Sequence, residues 1–199
     1  QQGWLDRGET VYVGKLDSIV VRSGLGRAQL EGDTRYMRSA VRCEVRFGDE
    51  VREFDTRDII GDDGIARMLI EPLEEGSHYF YVTTHDAAGN KSIRTEVFGE
   101  VYGDEYRLLQ RPKKVLEMVP TLSDMTLKWS SNDKAVRVEL EYETQNGTQR
   151  LTLGGDATST VIGPDWKRGG KIRSVTYVQP NEKALDVCLL YTSDAADEL

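Results

Sequence analysis

The sequence predicts an all-β protein built from two consecutive β-sandwiches. Apolar and polar residues alternate with a period of two along many short segments, as they do in half-buried strands. Turn-forming residues separate these segments at the spacing of a sandwich domain. Long stretches of helical periodicity are missing. A chain of 199 residues has room for two sandwiches of about 100 residues each.

The first half of the chain contains about seven predicted strands, the number found in a small sandwich. The strongest alternation makes every second residue from Val41 to Phe47 apolar. Gly48-Asp49 then marks a hairpin turn, and glycines and aspartates at 61–64 mark a turn before the next strand. Residues 10–13 and 17–22 are expected to be short edge segments that precede the second strand. The other expected strands are residues 27–31, 40–47, 51–55, 65–70, the strand that follows Gly76, and 92–102.

Residues 73–92, LEEGSHYFYVTTHDAAGNKS, predict a turn, a central strand and a tight hairpin. Gly76 can adopt the positive φ that a corner requires. We expect Tyr79 to form a tyrosine corner, with its hydroxyl bonded to the corner backbone. Turn chemistry at 86–90 closes the hairpin. This order is typical of fibronectin type III and immunoglobulin-like sandwiches, and it predicts a first module at residues 9–103.

Residues 104–114 are expected to form a short linker. Pro112 cannot donate a backbone hydrogen bond, so strand pairing is expected to stop there. The second module, residues 115–187, places Met125, Leu127 and Trp129 on one strand face. Asn146-Gly147 is the strongest hairpin signal in the chain. The expected strands of the second module are residues 125–130, 136–142, 148–153, 159–162 and 171–178.

Residues 188–198, CLLYTSDAADE, differ in chemistry from the preceding chain. They resemble an in-frame translation of a transposase adapter used in sequencing libraries. We therefore interpret residues 188–199 as an artefactual tail that lies loosely on the surface or is disordered. A natural terminus that frays is the alternative interpretation. On the adapter interpretation, the native sequence is expected to depart from this one after residue 187.

Charge and composition argue against several function classes. The formal net charge of −8 disfavours nonspecific binding to nucleic acid or to an anionic membrane, because both need clustered lysine and arginine. No apolar run reaches the roughly 20 residues of a membrane helix. Two cysteines, Cys43 and Cys188, are too few for a disulfide framework or a cysteine-rich zinc site. No cofactor is predicted.

The sequence predicts no catalytic or metal-binding residue. His78 and His85 are the two histidines, and their odd spacing places them on opposite faces of one strand. Asp62-Asp63 could supply a carboxylate pair or calcium ligands, but two acids between two glycines are typical of a solvated turn. No serine or cysteine lies in a recognisable nucleophile elbow. We therefore expect that the chain is not an enzyme.

Aromatic side chains are the candidate ligand-binding residues, because exposed rings stack on sugar faces or pack into partner surfaces. Tyr36 lies in the polar loop between the second and third expected strands and is the strongest candidate. For Trp166 the alternative interpretation is a buried core residue at a corner. For Tyr106 the alternative is packing between the two modules. The candidate set is Trp4, Tyr36, Tyr106 and Trp166.

Longer motifs in both halves of the chain resemble one family. They are similar to the domain-of-unknown-function 4998 family found in surface proteins of Bacteroidetes, and the resemblance covers roughly residues 9–186. The chain departs from the family at Glu31, where an apolar residue or tryptophan is usual in the second strand. The motifs are GETVYVGKLDSIVVRSGLGRAQLEGD, the 73–92 segment, TEVFGEVYGDEY, LLQRPKK, TLKWSSND and DWKRGGKIRSVTYVQPNEKALD.

The resemblance implies tandem fibronectin-like domains in an exported lipoprotein, encoded with polysaccharide-uptake machinery. A lipid-modified cysteine is expected upstream of Gln1, with a location at the cell surface or outer membrane, or in the periplasm. The implied function is a noncatalytic accessory or spacer module in glycan capture, with a glycan or other glycan-uptake proteins as partners. Direct carbohydrate binding through loop aromatics is the alternative. Catalysis and adhesion to a host protein are more distant alternatives.

Overall fold

The structure is a computed structural model that describes residues 12–192 and 197–198. These residues form strands and two short helices, and the chain divides into two compact units between Gly103 and Asp104. The predicted all-β class is confirmed. Within the described residues, neither helix combines the length and apolar character that crossing a bilayer requires.

The first unit is a sandwich of two antiparallel sheets. Its elements are β1 (Asp17–Ser23), β2 (Ala28–Asp33), β3 (Ala40–Phe47), β4 (Glu50–Asp55), α1 (Thr56–Ile59), β5 (Ile65–Ile70), β6 (Gly76–Asp86) and β7 (Thr95–Val101). One sheet has the order β1-β2-β5 and the other has the order β4-β3-β6-β7. This division into three and four strands is that of a fibronectin-like sandwich. Residues 12–13 lie outside any strand, and the rest of the expected strand 10–13 lies outside the described residues.

The core of the first unit lies between its two sheets. Leu30 and Met68 reach it from the three-stranded sheet, and Phe80 and Val82 reach it from the four-stranded sheet, all with 2% exposure or less. The predicted hairpin between β3 and β4 is confirmed, with Gly48 at a φ of 54°. Alternating strands therefore place one apolar row of each sheet in a shared interior.

The position that departs from the family pattern lies outside this core. Leu30 points inward from β2, and the neighbouring Glu31 points to the other face. The Glu31 carboxylate lies 3.3 Å from Arg22 and 3.5 Å from Arg67. Because Glu31 is on the outer face, the acidic residue does not disturb the apolar interior.

The predicted tyrosine corner at Tyr79 is wrong. Gly76 does adopt a positive φ, 128°, but Tyr79 points to the outer face and its side chain is 54% exposed. The preceding residue, His78, lies on the inner side, where its Nε2 donates a hydrogen bond of 2.7 Å to the Glu74 carbonyl. A histidine ring therefore makes the contact with the upstream backbone that was expected from tyrosine.

The second unit is also a two-sheet antiparallel sandwich. Its elements are α2 (Asp104–Leu109), β8 (Val115–Pro120), β9 (Met125–Trp129), β10 (Ala135–Thr144), β11 (Gly147–Gly154), β12 (Ser159–Ile162), β13 (Lys171–Val178), β14 (Cys188–Tyr191) and β15 (Asp197–Glu198). One sheet has the order β12-β9-β8. The other has the order β11-β10-β13-β14, and β15 also pairs with β13. The predicted hairpin is confirmed, but its turn lies one residue earlier than Asn146-Gly147: Thr144 pairs with Gly147, so the two turn residues are Gln145 and Asn146.

The core of the second unit follows the predicted alternation. Met125, Leu127 and Trp129 from β9 meet Val138 and Leu140 from β10 in a separate buried cluster. The Trp129 indole N–H donates to Thr160 at 3.0 Å, which satisfies the one polar atom of a buried ring.

The expectation of a loose segment after residue 187 is wrong for residues 188–191. Cys188–Tyr191 forms β14, which pairs antiparallel with β13. Cys188 and Leu190 are 4% and 7% exposed and pack beside Val178. The edge of β13 presents free backbone donors and acceptors, so a segment that alternates apolar and exposed residues can add to it.

Candidate functional site

The four aromatic residues expected to bind ligand are not equivalent in the structure. Trp4 lies outside the described residues. Tyr36 lies in the loop between β2 and β3, where its side chain is 58% exposed. The same loop is held by Arg35, which donates to the Asp33 carboxylate at 2.6 Å. Tyr36 is therefore a single exposed ring on a loop that is anchored by its neighbours.

The other two aromatic residues belong to the second unit and pack in its interior. Tyr106 lies on α2 and contacts the cluster of Val178, Cys188 and Leu190. Trp166 is partly buried against the second core. This environment favours the interpretation of Trp166 as a core plug, and it gives Tyr106 a packing role within the second unit.

The two histidines lie on opposite faces of β6, as predicted. His78 has its ring stacked 6.0 Å from that of Phe80 and its Nε2 bound to a backbone carbonyl. His85 faces the other way, with its Nε2 3.6 Å from the Glu44 carboxylate. The histidines therefore cannot bind a common metal ion. Among the described residues, no cluster of three or more His, Cys, Asp or Glu side chains could hold one.

The acidic turn at residues 61–64 is built as a structural turn. The Asp63 carboxylate accepts a hydrogen bond of 2.7 Å from Arg67 and a second bond of 3.1 Å from the Ile65 N–H. The Arg67 hydrogen bond is the main cause that lowers the pKa of Asp63 to about 2. A general acid needs a raised pKa, so the lowered pKa of Asp63 does not suit it to that role.

The thiol of Cys43 is buried in the first core. Its exposure is 0%, and burial raises its pKa to about 12. The reactive form of cysteine is the thiolate, so this environment suppresses nucleophilic chemistry. Cys43 is therefore a small core residue, as the apolar alternation from Val41 to Phe47 predicts.

Lys113 is a buried charged group that the sequence did not reveal. Its side chain is 2% exposed, and its ammonium donates to the carbonyls of Gly155 at 2.8 Å and Ala157 at 2.6 Å. The Lys113 N–H also donates to the Thr176 hydroxyl. Burial lowers the pKa of Lys113. These contacts hold the turn between β11 and β12, so the residue has a structural role.

An exposed group of aromatic residues lies on the outer side of the four-stranded sheet. We define the aromatic face as Tyr79, Tyr81, Phe98 and Arg94. Tyr79 on β6 lies directly opposite Phe98 on β7, with their ring centroids 5.3 Å apart. The Arg94 guanidinium lies 4.6 Å from the centroid of the Tyr81 ring. The sequence interpretation missed this face because it assigned Tyr79 to the corner.

The outer face of the second unit carries a groove of about 610 Å³ with a mixed polar and apolar lining. Glu141, Arg150 and Arg173 line it from three adjacent strands, and Tyr191 on β14 lines it at one side. Beyond Glu139 the same sheet carries Tyr177, whose hydroxyl donates to Glu139 at 2.7 Å. This hydrogen bond raises the pKa of Tyr177. One wall of the groove thus belongs to the adapter-like segment.

The comparison with protein families identifies the chain. One family model matches residues 1–187. The chain belongs to the DUF4998 family. That family is described as a domain of unknown function, and its match ends one residue before the adapter-like segment. A comparison with curated proteins finds no match.

Solved structures that resemble this member of DUF4998 include fibronectin domains. The FN1-FN3 domains of chicken CNTN1 are 11% identical to this chain, with a TM-score of 0.46. The similarity covers 92% of this chain and 64% of the CNTN1 chain, so this chain spans less than two thirds of the CNTN1 chain. A two-domain fibronectin type III segment of chicken tenascin is 13% identical, with a TM-score of 0.35, covering 89% and 99% of the two chains. The chitinase ChiA74 from Bacillus thuringiensis is 16% identical, with a TM-score of 0.37, covering 92% of this chain and 28% of that chain.

Proposed function

We propose that this DUF4998 chain is a noncatalytic accessory or spacer module of an exported bacterial surface lipoprotein associated with glycan capture. The observation that supports the noncatalytic part is that three of its reactive groups are held in structural contacts. Asp63 is bound to Arg67, His78 to a backbone carbonyl, and the Cys43 thiol is in the core. Groups held in this way stabilise the fold and have no free geometry for acid, base or nucleophilic chemistry.

The proposed role is to present a surface in a fixed shape. Each sandwich has its own closed core, and strands that share a core move little relative to one another. Binding residues on such strands are held more rigidly than residues on free loops. The net charge of −8 disfavours direct contact with anionic lipid. The proposed membrane attachment is a lipid on a cysteine upstream of Gln1, as the family resemblance implies.

Direct carbohydrate recognition through loop aromatics is the second candidate function. It is favoured by Tyr36, whose ring is 58% exposed in the loop after β2. Trp166 and Tyr106 support it less, because both rings pack against core clusters. On this alternative, substitution of Tyr36 alone abolishes glycan binding.

The surface location is tested in the bacterium that carries the gene. The full-length gene product is expected to incorporate labelled palmitate and to be cleaved by proteinase K added to intact cells. A product that carries no lipid and resists the protease in intact cells contradicts the surface assignment.

The noncatalytic assignment is tested with the purified 199-residue chain. Incubation with laminarin, starch, galactomannan, xylan and chondroitin sulfate is expected to release no reducing sugar. Release of reducing sugar that rises in proportion to protein concentration contradicts the assignment.

A further inference from the structure

We propose that the aromatic face of the first sandwich is a binding site for the pyranose rings of a neutral carbohydrate. The inference rests on the proposed function, because it names the ligand class of a module associated with glycan capture. It differs from the loop hypothesis in its residues, since it assigns binding to strand positions Tyr79 and Phe98 and not to Tyr36.

The geometry of the two central rings supports a stacking site. Tyr79 and Phe98 occupy paired positions on β6 and β7, so the hydrogen-bonded sheet fixes the spacing of their backbones. Their rings are 54% and 51% exposed and inclined at 58°. Aromatic side chains offer large contact areas and lose little conformational entropy on binding. The pair therefore presents two preorganised apolar surfaces to a ligand.

The two exposed rings by themselves offer too little area for a stable protein interface. A buried aromatic side chain covers about 150–250 Å², so two half-exposed rings offer roughly 200 Å² in total. A stable protein interface needs about 800 Å² from each partner. The area suits a few sugar rings, whose C–H faces stack on aromatic surfaces.

The charges around the rings also favour a polar, neutral ligand. Glu96 is paired with Tyr81 across the strands, and Glu100 lies two residues after Phe98 on the same face. Two cations lie nearby: Arg94 against the Tyr81 ring, and Arg46, the β3 partner of Tyr81, which donates to the Glu44 carboxylate at 2.8 Å. With Glu44 counted beside Arg46, the face carries three acids and two bases, which disfavours an anionic ligand, and charged groups are depleted from the centres of protein interfaces. Carboxylates and guanidinium groups can instead hydrogen-bond sugar hydroxyls.

The test is affinity electrophoresis of the full chain in native gels that contain laminarin, starch, galactomannan or xylan. A chondroitin sulfate gel serves as the anionic comparison. We expect at least one neutral polysaccharide to retard the protein. The double variant Tyr79→Ser with Phe98→Ser should weaken that interaction at least about tenfold, which corresponds to about 1.4 kcal/mol. Tyr12→Ala is the matched control, because it removes another exposed ring from the same unit and should leave retardation unchanged. Tyr36→Ala separates this site from the loop hypothesis, since only the loop hypothesis expects it to abolish retardation.

A second measurement uses the wild-type chain and does not depend on the folding of a variant. Hydrogen exchange in the presence of the retarding polysaccharide should show added protection in β6 and β7. Protection confined to other strands overturns the proposal. The proposal is also overturned if the double variant is still retarded, if Tyr36→Ala is no longer retarded, or if the wild-type chain is retarded only in the chondroitin sulfate gel.

The remaining outcomes separate this proposal from the broader one. If no gel retards the chain, the aromatic face is not a carbohydrate site, while the surface location and the lack of turnover still support an accessory module. If the chain dimerises in analytical ultracentrifugation and Phe98→Ser prevents this, the face is a protein contact and the inference is wrong. If the chain incorporates no palmitate and resists the protease while the gels still retard it, the binding site is supported and the surface assignment is wrong.

Discussion

Replacement of Lys113 by methionine tests whether one buried ammonium holds the β11–β12 turn in the second sandwich. Methionine keeps an unbranched stem of similar length, so most of the packing remains. It removes the donors to the carbonyls of Gly155 and Ala157. A buried polar group left without a partner costs about 1–3 kcal/mol.

The two lost contacts do not add in full. The Gly155 contact is buried, whereas the Ala157 contact is partly buried, so water can replace the second one. Removing the ammonium also removes the cost of burying a charge. We therefore expect a net loss of about 2 kcal/mol in the free energy of unfolding. For a unit of this size, such a loss corresponds to a decrease of roughly 8–16 °C in Tm.

Tryptophan fluorescence during urea unfolding measures this loss in the second unit alone. Trp129 and Trp166 both belong to that unit, and Trp4→Phe removes the third tryptophan of the chain. Lys114→Met in the same background is the matched control, because Lys114 is the exposed neighbour of the buried lysine. Its effect should stay within about 0.5 kcal/mol.

Two results would refute the reasoning about Lys113. The first is a midpoint for Lys113→Met that equals that of the parent protein, since the carbonyls would then be satisfied without the ammonium. The second is an equal loss in Lys114→Met, which would make the effect one of general charge. Hydrogen exchange at residues 155–158 adds a local readout, because loss of the contact should accelerate exchange there.

Three further predictions concern the first sandwich. His78→Ala should lower the free energy of unfolding by about 1 kcal/mol, which is the net contribution of its hydrogen bond, in urea melts followed by circular dichroism. Tyr79→Phe should change the free energy of unfolding by less than about 0.5 kcal/mol. A larger loss in Tyr79→Phe than in His78→Ala would support the tyrosine corner after all. The pKa of Asp63 is lowered to about 2 from 3.8, so the ionised Asp63 stabilises the folded state fully above pH 4, and this contribution is lost as the pH falls toward 2. Asp63→Asn should flatten this part of the acid unfolding curve, whereas the control Asp62→Asn should not. Cys43 should resist iodoacetamide at pH 8 in the folded protein and react in guanidinium chloride, as mapped by mass spectrometry, because its pKa is about 12; rapid labelling without denaturant would contradict its burial.

The strands were predictable where local alternation was clear. Residues 40–47 and 65–70 have the predicted bounds, because each carries an apolar row that faces the first core. Residues 159–162 and 171–178 also have the predicted bounds, although the buried row of the second includes Ser174 and Thr176. The sequence HYFYVTT in β6 has rings or apolar side chains in both rows, so alternation identifies two faces without saying which is inside. Packing and the path of the chain after Gly76 place Phe80 inward and Tyr79 outward. The aromatic face was missed for this reason.

Other features depend on contacts between distant parts of the chain. The α2 helix has six residues, too few to show a helical period. Lys113 is next to a proline and a second lysine, a composition typical of a solvated linker, but its carbonyl partners lie 42 and 44 residues later. The β14 strand likewise depends on the unpaired edge of β13. Each outcome is decided by a partner that local pattern does not identify.

The histidine at the turn before β6 has a consequence for how related domains are detected. A ring N–H is enough to bond the backbone of that turn, and here the ring belongs to His78, one residue before the position expected for tyrosine. Sequence signatures that demand a phenol at a fixed distance from the glycine would overlook such members or invert the faces of their sheets. A signature that accepts an imidazole one place earlier would recover both the members and the correct orientation of their strands.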